Sequence, residues 1–206
     1  MIGILDYGVG NVASIVSMLH RLTAPARRVT DPADLASFDA FILPGVGAFD
    51  DVVSRFDASG LRPPLQELVL EEHRSLLGIC VGMQMLAHGS DEGELPGLGW
   101  VPGRVHHLRA RVDPSMRLPA MGWHYTDPAG GHGLLPTTDE RQRYYYVHSF
   151  HIECDEPADI AATVDYGTEI TAAVSRGPIS GTQFHPEKSH RFGMELLRDY
   201  AARVRV

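Results

Sequence analysis

Lysine is nearly missing from this chain of 206 residues: every basic residue but one is arginine, and the exception is Lys188. Cysteine is scarce too, with only Cys80 and Cys154. Two thiols cannot make a disulfide framework, and a reduced, cytoplasmic setting is expected. No apolar run approaches membrane-spanning length, so no membrane association is expected. Positive charge is in deficit. The formal net charge of −8 argues against general nucleic-acid binding. Eleven histidines are present, yet no C-x-x-C pair and no H-E-x-x-H. His106 and His107 are adjacent and would point to opposite faces of a strand, so no metal site is expected. Met1-Ile2-Gly3-Ile4-Leu5-Asp6 already has the character of a strand, which leaves no expected signal peptide.

What remains is an ordinary globular composition, with 44% hydrophobic and 21% charged residues. One domain over residues 1–206 fits this length.

The most informative stretch is Gly78-Ile79-Cys80-Val81-Gly82, directly after an apolar run from Leu76. A buried strand here is expected to run into a helix carrying Val81, Met85 and Leu86 on one face. Glycines two before and two after the thiol permit a crowded turn that a Cβ would block. With serine in place of cysteine, such a turn is the nucleophile elbow of hydrolases. The helix N-terminus would favour thiolate and offer N–H groups to an oxyanion. Taken alone, the pentapeptide also fits a buried structural cysteine. Cys154 lacks turn glycines and has acidic neighbours, so it is read as incidental.

A partner for Cys80 lies in Gly181-Thr182-Gln183-Phe184-His185-Pro186-Glu187. In an extended segment, residues two apart point the same way. His185 and Glu187 can then face one spot, the carboxylate orienting the imidazole and the imidazole activating the sulfur. Pro186 would stiffen the pair.

The first half alternates strands and helices. Strands are expected at Ile2–Asp6, Arg28–Thr30, Asp39–Leu43 (closed by Pro44) and Leu76–Ile79. Helices are expected from Val12 to Leu22 with Asn11 as N-cap, at Asp50–Asp57 ended by Gly60, and at Pro64–His73. Strands dominate the second half: Val105–Arg109, Ala120–Tyr125, Arg143–His148, Ile160–Val164, Ile170–Ser175 and Ile179–Phe184. Ser175–Pro178 reads as a hairpin turn, Asp127–Thr138 as a loop, and Ser189 as the cap of a last helix to about Arg203. The order implies a single α/β domain. Its central sheet is mixed but mostly parallel, flanked by helices, with an antiparallel extension that delivers His185. The site belongs at the carboxyl ends of the parallel strands.

Thiolate, imidazole and N–H donors together make an acyl-transfer site. The N–H of Val81 is one expected oxyanion donor. The loop Pro44-Gly45-Val46-Gly47, with Val46 at its tip, is the source of the second. Tyr146-Val147-His148-Ser149-Phe150 is either a wall holding a substrate's polar end or an aromatic core strand.

Along nearly its whole length the chain resembles the class I (triad-type) glutamine amidotransferases. Within them it resembles the glutaminase subunits of imidazole glycerol phosphate synthase. The likeness rests on Asp6–Asn11, Pro44–Phe49, Gly78–Gln84, Tyr146–Phe150 and Gly181–Ser189. It implies glutamine hydrolysis through a Cys80 thioester, with His185 and Glu187 completing the triad and no cofactor. It implies glutamine contacts from Gly45, Gly47, Gln84, His148, Ser149 and Phe150. It also implies a (β/α)8-barrel cyclase partner that uses the ammonia to make imidazole glycerol phosphate and AICAR in histidine biosynthesis. Asn11, Trp123, His124 and Lys188 would lie at that partner's interface or on the ammonia path. The family usually has Gly-Trp-Asn where this chain has Gly122-Trp123-His124. Lys188 would face away from the sulfur toward a docked partner if the strand persisted; a merely solvated charge is the plain alternative.

Three other functions compete. One is a class I amidotransferase subunit for anthranilate, aminodeoxychorismate or vitamin B6 synthesis. The others are a stand-alone cysteine amidohydrolase and a binding domain with a dead site.

Overall fold

The computed structural model describes residues 1–129, 133–136, 138 and 140–204. Strands β1 (Ile2–Leu5), β2 (Ala26–Val29), β3 (Ala40–Gly45) and β4 (Ser75–Cys80) alternate with helices α1 (Val12–Arg21), α2 (Phe49–Ala58) and α3 (Arg62–Gln66). The last continues into a π turn, Glu67–Glu71. After the single-turn α4 (Val81–Gln84) come seven strands. They are β5 (Gly103–His107), β6 (Ala120–Pro128), β7 (Arg143–His148), β8 (Phe150–Cys154), β9 (Ile160–Asp165), β10 (Glu169–Arg176) and β11 (Ile179–Thr182). Helix α5 (His190–Arg203) closes the chain.

Nine strands form one sheet in the order β2-β1-β3-β4-β11-β10-β9-β6-β7, and β5 pairs with β8 in a small second sheet. The five strands from β2 to β11 run parallel, and the rest of the large sheet is antiparallel. The expected mixed α/β sheet with its antiparallel extension is therefore present. β1 and β3 are buried at every residue, as a strand covered on both faces must be. The covering stripes recur at helical spacing: Val12, Ile15 and Leu19 on α1, and Phe49, Val52, Val53 and Phe56 on α2. Gly60, at φ +73°, terminates α2 as expected.

Several boundaries differ from the sequence reading, each for a local reason. Pro44 does not close β3 but lies within it, paired with Ile79. β1 pairs with β3 only as far as Ile42, so Pro44 sits where β3 has lost one neighbour and a missing N–H is tolerated. β2 begins at Ala26, two residues before the expected start. β6 continues through Pro128, and Asp127, expected in a loop, is strand. The rest of that loop includes residues 130–132 and 137, outside those described, as are residues 205 and 206 of the expected domain. β8 was not anticipated as a strand, because Tyr146–Phe150 reads as one segment whereas Ser149 breaks it into two. Neither Asn11 nor Ser189 caps its helix with its side chain.

The parallel register places the site. Gly45 lies opposite Cys80 across β3 and β4, and Thr182 lies opposite Ile79 across β11 and β4. Three carboxyl strand ends, bearing the Gly45 loop, Cys80 and the residues after Thr182, thus finish side by side. Phe184 pins the last of them. It is fully buried and stacks on Tyr144 of β7 at 3.9 Å between centroids.

Candidate active site

Cys80 stands in a left-handed conformation, φ 55° and ψ −114°. For a non-glycine residue this costs roughly 1–3 kcal/mol, so surrounding packing must hold it. Three glycines show how. A Cβ on Gly78 would lie 2.7 Å from the Gly82 carbonyl oxygen. One on Gly82 would lie 2.0 Å from the Leu43 oxygen, and one on Gly45 2.4 Å from the Gly82 nitrogen. All three distances are below any real Cβ contact. The crowded turn expected from Gly78 and Gly82 is present, and Gly45 proves to be its third member. The helix after it is one turn long, so local N–H groups outweigh any macrodipole.

Gly45 thus packs behind the thiol, while Val46 and Gly47 reach the cavity. That loop is propped from below. The Tyr7 hydroxyl donates to the Pro44 carbonyl, and Gly10 fits against Pro44 where a Cβ would come within 2.7 Å of its ring. Asn11 follows this strut and is exposed.

His185 Nδ1 is 2.8 Å from Glu187 Oε1, with both side chains buried. The pairing is the expected one, but its geometry is different. Extended backbone stops at His185, and Pro186–Lys188 form a 3-10 turn that swings Glu187 back under the imidazole. With Nδ1 committed, Nε2 is buried without a hydrogen-bond partner among the described residues, and His185 lines the same cavity as Cys80. Burial alone would lower the His185 pKa. The neighbouring Cys80 sulfur, and then the bonded Glu187 carboxylate, outweigh burial and raise it to about 9. His185 therefore holds a proton readily.

A cavity of about 350 Å3 opens over these groups. It is lined by Val46, Gly47, Cys80, Val81, Gln84, His148, Ser149, Phe150, His185 and Lys188 among others. The segment Tyr146–Phe150 is thus both alternatives at once. Tyr146 is core, and His148–Phe150 are wall. His148 Nδ1 lies 2.8 Å from the Phe150 carbonyl, and burial depresses the His148 pKa to about 4. A carbonyl only accepts, so Nδ1 carries the proton and Nε2 remains an acceptor. Gln84 Nε2 donates to Phe150 O at 3.1 Å and to Gln183 Oε1 at 3.0 Å, which leaves its oxygen uncommitted to those bonds.

Two lining residues escaped the sequence reading. Glu92 comes from a loop with no motif of its own, and its Oε2 accepts the Phe49 N–H at 2.9 Å. Pro119 precedes β6. Cys154 is half-buried and unpaired, and its thiol is pushed up to about 12, first by burial and then by Asp159 and Asp155. Burial, not its acidic neighbours, leads. Among the described residues, no group of three His, Cys, Asp or Glu could hold a metal ion. No helix among them is long and apolar enough to cross a membrane.

The four proposed interface residues do not share one face. Trp123 is 40% exposed and lies between Met121 and Tyr125 on the open side of β6. His124, one residue on, turns to the other side and packs edge-on against Tyr146 and Tyr166. Its pKa is lowered by that burial. Lys188 does not point away from the site, because the strand ends before it. It lines the Cys80 cavity, with Nζ 5.9 Å from the Tyr145 ring centroid.

Residues 4–204 match the family described as Glutamine amidotransferase class-I. Imidazole glycerol phosphate synthase subunit HisH of Bdellovibrio bacteriovorus is 45% identical over 98% of this chain and 99% of its own. The subunit of the same name from Leptospira borgpetersenii is 42% identical over 98% and 100%. A solved glutamine amidotransferase shares the fold at TM-score 0.76, with 19% identity over 98% of this chain and 97% of that one. The chain belongs to the class-I glutamine amidotransferase family and, within it, groups with the HisH subunits of imidazole glycerol phosphate synthase.

Proposed function

We propose that this chain hydrolyses L-glutamine to glutamate and ammonia at Cys80 and hands the ammonia to a (β/α)8-barrel cyclase in histidine biosynthesis. The observation that carries the chemistry is the strained Cys80 elbow beside a buried His185–Glu187 pair at 2.8 Å.

The sulfur attacks the side-chain carboxamide carbon. Charge develops on the amide oxygen, where the N–H of Val81 and a donor from the Val46 loop stabilise it. Removing one such donor typically costs ~10²–10³ in rate. The C–N bond then breaks as His185 gives its proton to the leaving nitrogen, and ammonia departs from a Cys80 thioester. Water, deprotonated by His185, attacks that thioester and releases glutamate. Glu187 holds the imidazole and stabilises its charged form.

The free amino acid is zwitterionic, and the cavity offers matching groups. The Glu92 carboxylate suits the α-ammonium. Gln84 Oε1 and His148 Nε2 are acceptors, and Ser149 can serve either polar end. The partner docks on the exposed stripe Met121, Trp123 and Tyr125, with Lys188 at the rim of the cavity. Apolar and aromatic side chains of this kind are the usual anchors of interfaces. A cytoplasmic location fits two unpaired thiols.

The test is glutamate release from glutamine, measured with and without a barrel cyclase and its nucleotide ligand. Release that depends on Cys80 and is matched by cyclised product supports the proposal. Release without transfer to that cyclase would instead favour a different synthase partner.

A further inference from the structure

We infer that Gln183 is a catalytic residue whose side-chain amide donates a hydrogen bond to the Cys80 sulfur. This inference rests on Cys80 being the nucleophile, as proposed above. Gln183 is fully buried, and its Nε2 lies 3.8 Å from Sγ. The parallel register dictates the meeting. Thr182, the last residue of β11, is level with Ile79, so Gln183, just past the strand, and Cys80, the last residue of β4, come together at the sheet's carboxyl edge.

The direction of the amide is set by a chain of polarity that starts at the backbone. The Phe150 carbonyl can only accept, so the Gln84 atom facing it must be the NH2 group. That same NH2 faces Gln183, which must therefore present its oxygen, at 3.0 Å. The Gln183 NH2 is then turned toward the sulfur. One backbone carbonyl thus fixes two side-chain amides in sequence and leaves an N–H on the nucleophile. The Gln183 main chain is itself anchored, its N–H donating to the Ala172 carbonyl at 2.8 Å.

A neutral donor here differs from His185 in one useful respect: it never gives up its proton. It favours the charged sulfur before attack and stays in place while His185 carries the proton to the leaving nitrogen. The same relay ends at Phe150, a wall of the substrate cavity. Substrate that shifts the Phe150 carbonyl would therefore be felt at the sulfur through Gln84 and Gln183.

The test measures alkylation of Cys80 by iodoacetamide against pH, beside glutamine turnover. In Gln183→Leu the sulfur loses its neutral donor. The alkylation midpoint should move up by about one pH unit, a roughly tenfold slower reaction at a fixed pH below it. The kcat should fall by a similar or larger factor, with KM little changed. Gln183→Glu, which places a carboxylate there, should shift the midpoint further. If these variants do not fold, the wild-type protein still decides. The 15N-detected side-chain amide of Gln183 should shift as Cys80 is alkylated. An unchanged alkylation profile in a folded Gln183→Leu protein, or an amide resonance indifferent to alkylation, overturns the inference. A wild-type protein that hydrolyses no glutamine, while its Gln183 amide still responds to alkylation, would instead sink the proposed function and leave the Gln183–Cys80 bond standing without a catalytic role.

Discussion

Ser189 and His185 are joined by a bond that runs backward along the chain: Ser189 Oγ donates to the His185 carbonyl at 2.6 Å. The same Oγ accepts the Tyr145 N–H at 3.0 Å, and the Tyr145 carbonyl accepts the His185 N–H at 3.0 Å. Three hydrogen bonds thus close a ring that ties His185, the proposed base, to β7. Ser189→Ala would strand the part-buried Tyr145 N–H, at a cost of ~1–3 kcal/mol for such a group, and would leave the His185 carbonyl only the Lys188 N–H at 3.1 Å. We expect kcat to fall about tenfold with KM little changed, a lower melting temperature, and partial recovery in Ser189→Thr. Steady-state kinetics beside a thermal melt would check this. Unaltered kcat in Ser189→Ala would mean that the ring does not position His185.

The buried Nδ1–Oε1 bond divides the roles of His185 and Glu187. In the proposed mechanism the imidazole moves the proton, and the carboxylate only orients it and stabilises its charged form. Glu187→Gln should therefore slow glutamine hydrolysis less than His185→Ala. It should also lower the pH at which His185 deprotonates, since part of the support for its raised pKa is gone. A pH–rate profile of each variant tests both statements. A worse loss in Glu187→Gln would reverse the assignment.

Stability should fall on both sides of about pH 6.5. The His185 pKa is raised in the fold to about 9. Its contribution is complete below the unfolded value of about 6.5 and disappears as pH climbs through about 9. His148 and His151 go the other way: burial lowers both to about 4. There the unfolded chain binds the extra protons, so stability is lost as pH drops from about 6.5 through 4, by roughly 3 kcal/mol at most for each residue. Denaturant unfolding at several pH values should show a maximum in this region. His151→Leu should flatten the acid limb; an acid limb as steep as the wild type's would show that His151 does not contribute to it.

Lys188 lines the cavity that holds Cys80 and also a second cavity with Arg21, His190 and Arg191. At the rim between them, it is suited to a partner's acidic group. Lys188→Ala should weaken the complex or let glutamine be hydrolysed without matching product. Lys188→Arg should restore charge but not full coupling, because the planar guanidinium is bulkier than an ammonium. Glutamate and cyclised product measured in one assay decide it. A one-to-one ratio with unchanged affinity in Lys188→Ala would reduce it to a surface charge.

The crowded turn at Cys80 was legible in the sequence because two of its determinants are local. Gly78 and Gly82 flank Cys80 within five residues, and their absent Cβ atoms are what the packing requires. The His185–Glu187 pairing was legible as chemistry but not as geometry. Pro186 read as a stiffener of a strand, whereas it opens a 3-10 turn. The Gln183 contact could not be foreseen, since it depends on the register of β4 against β11, strands distant in sequence. Glu92 was invisible for a related reason. Asp50 accepts the N–H groups of Glu94 and Leu95 and so holds its loop from another element. Trp123 and His124 were grouped by motif, although neighbours in a strand point to opposite faces.

The most direct test compares wild type and Cys80→Ser for glutamate release from glutamine, in complex with the barrel cyclase and its nucleotide ligand. The wild type should release glutamate and support cyclisation. Cys80→Ser should release none, yet bind the cyclase normally and allow cyclisation when ammonia is supplied directly. Cys154→Ala should behave as wild type. Substantial glutamate release from Cys80→Ser, or its loss in Cys154→Ala, would contradict the assignment of Cys80 as the nucleophile.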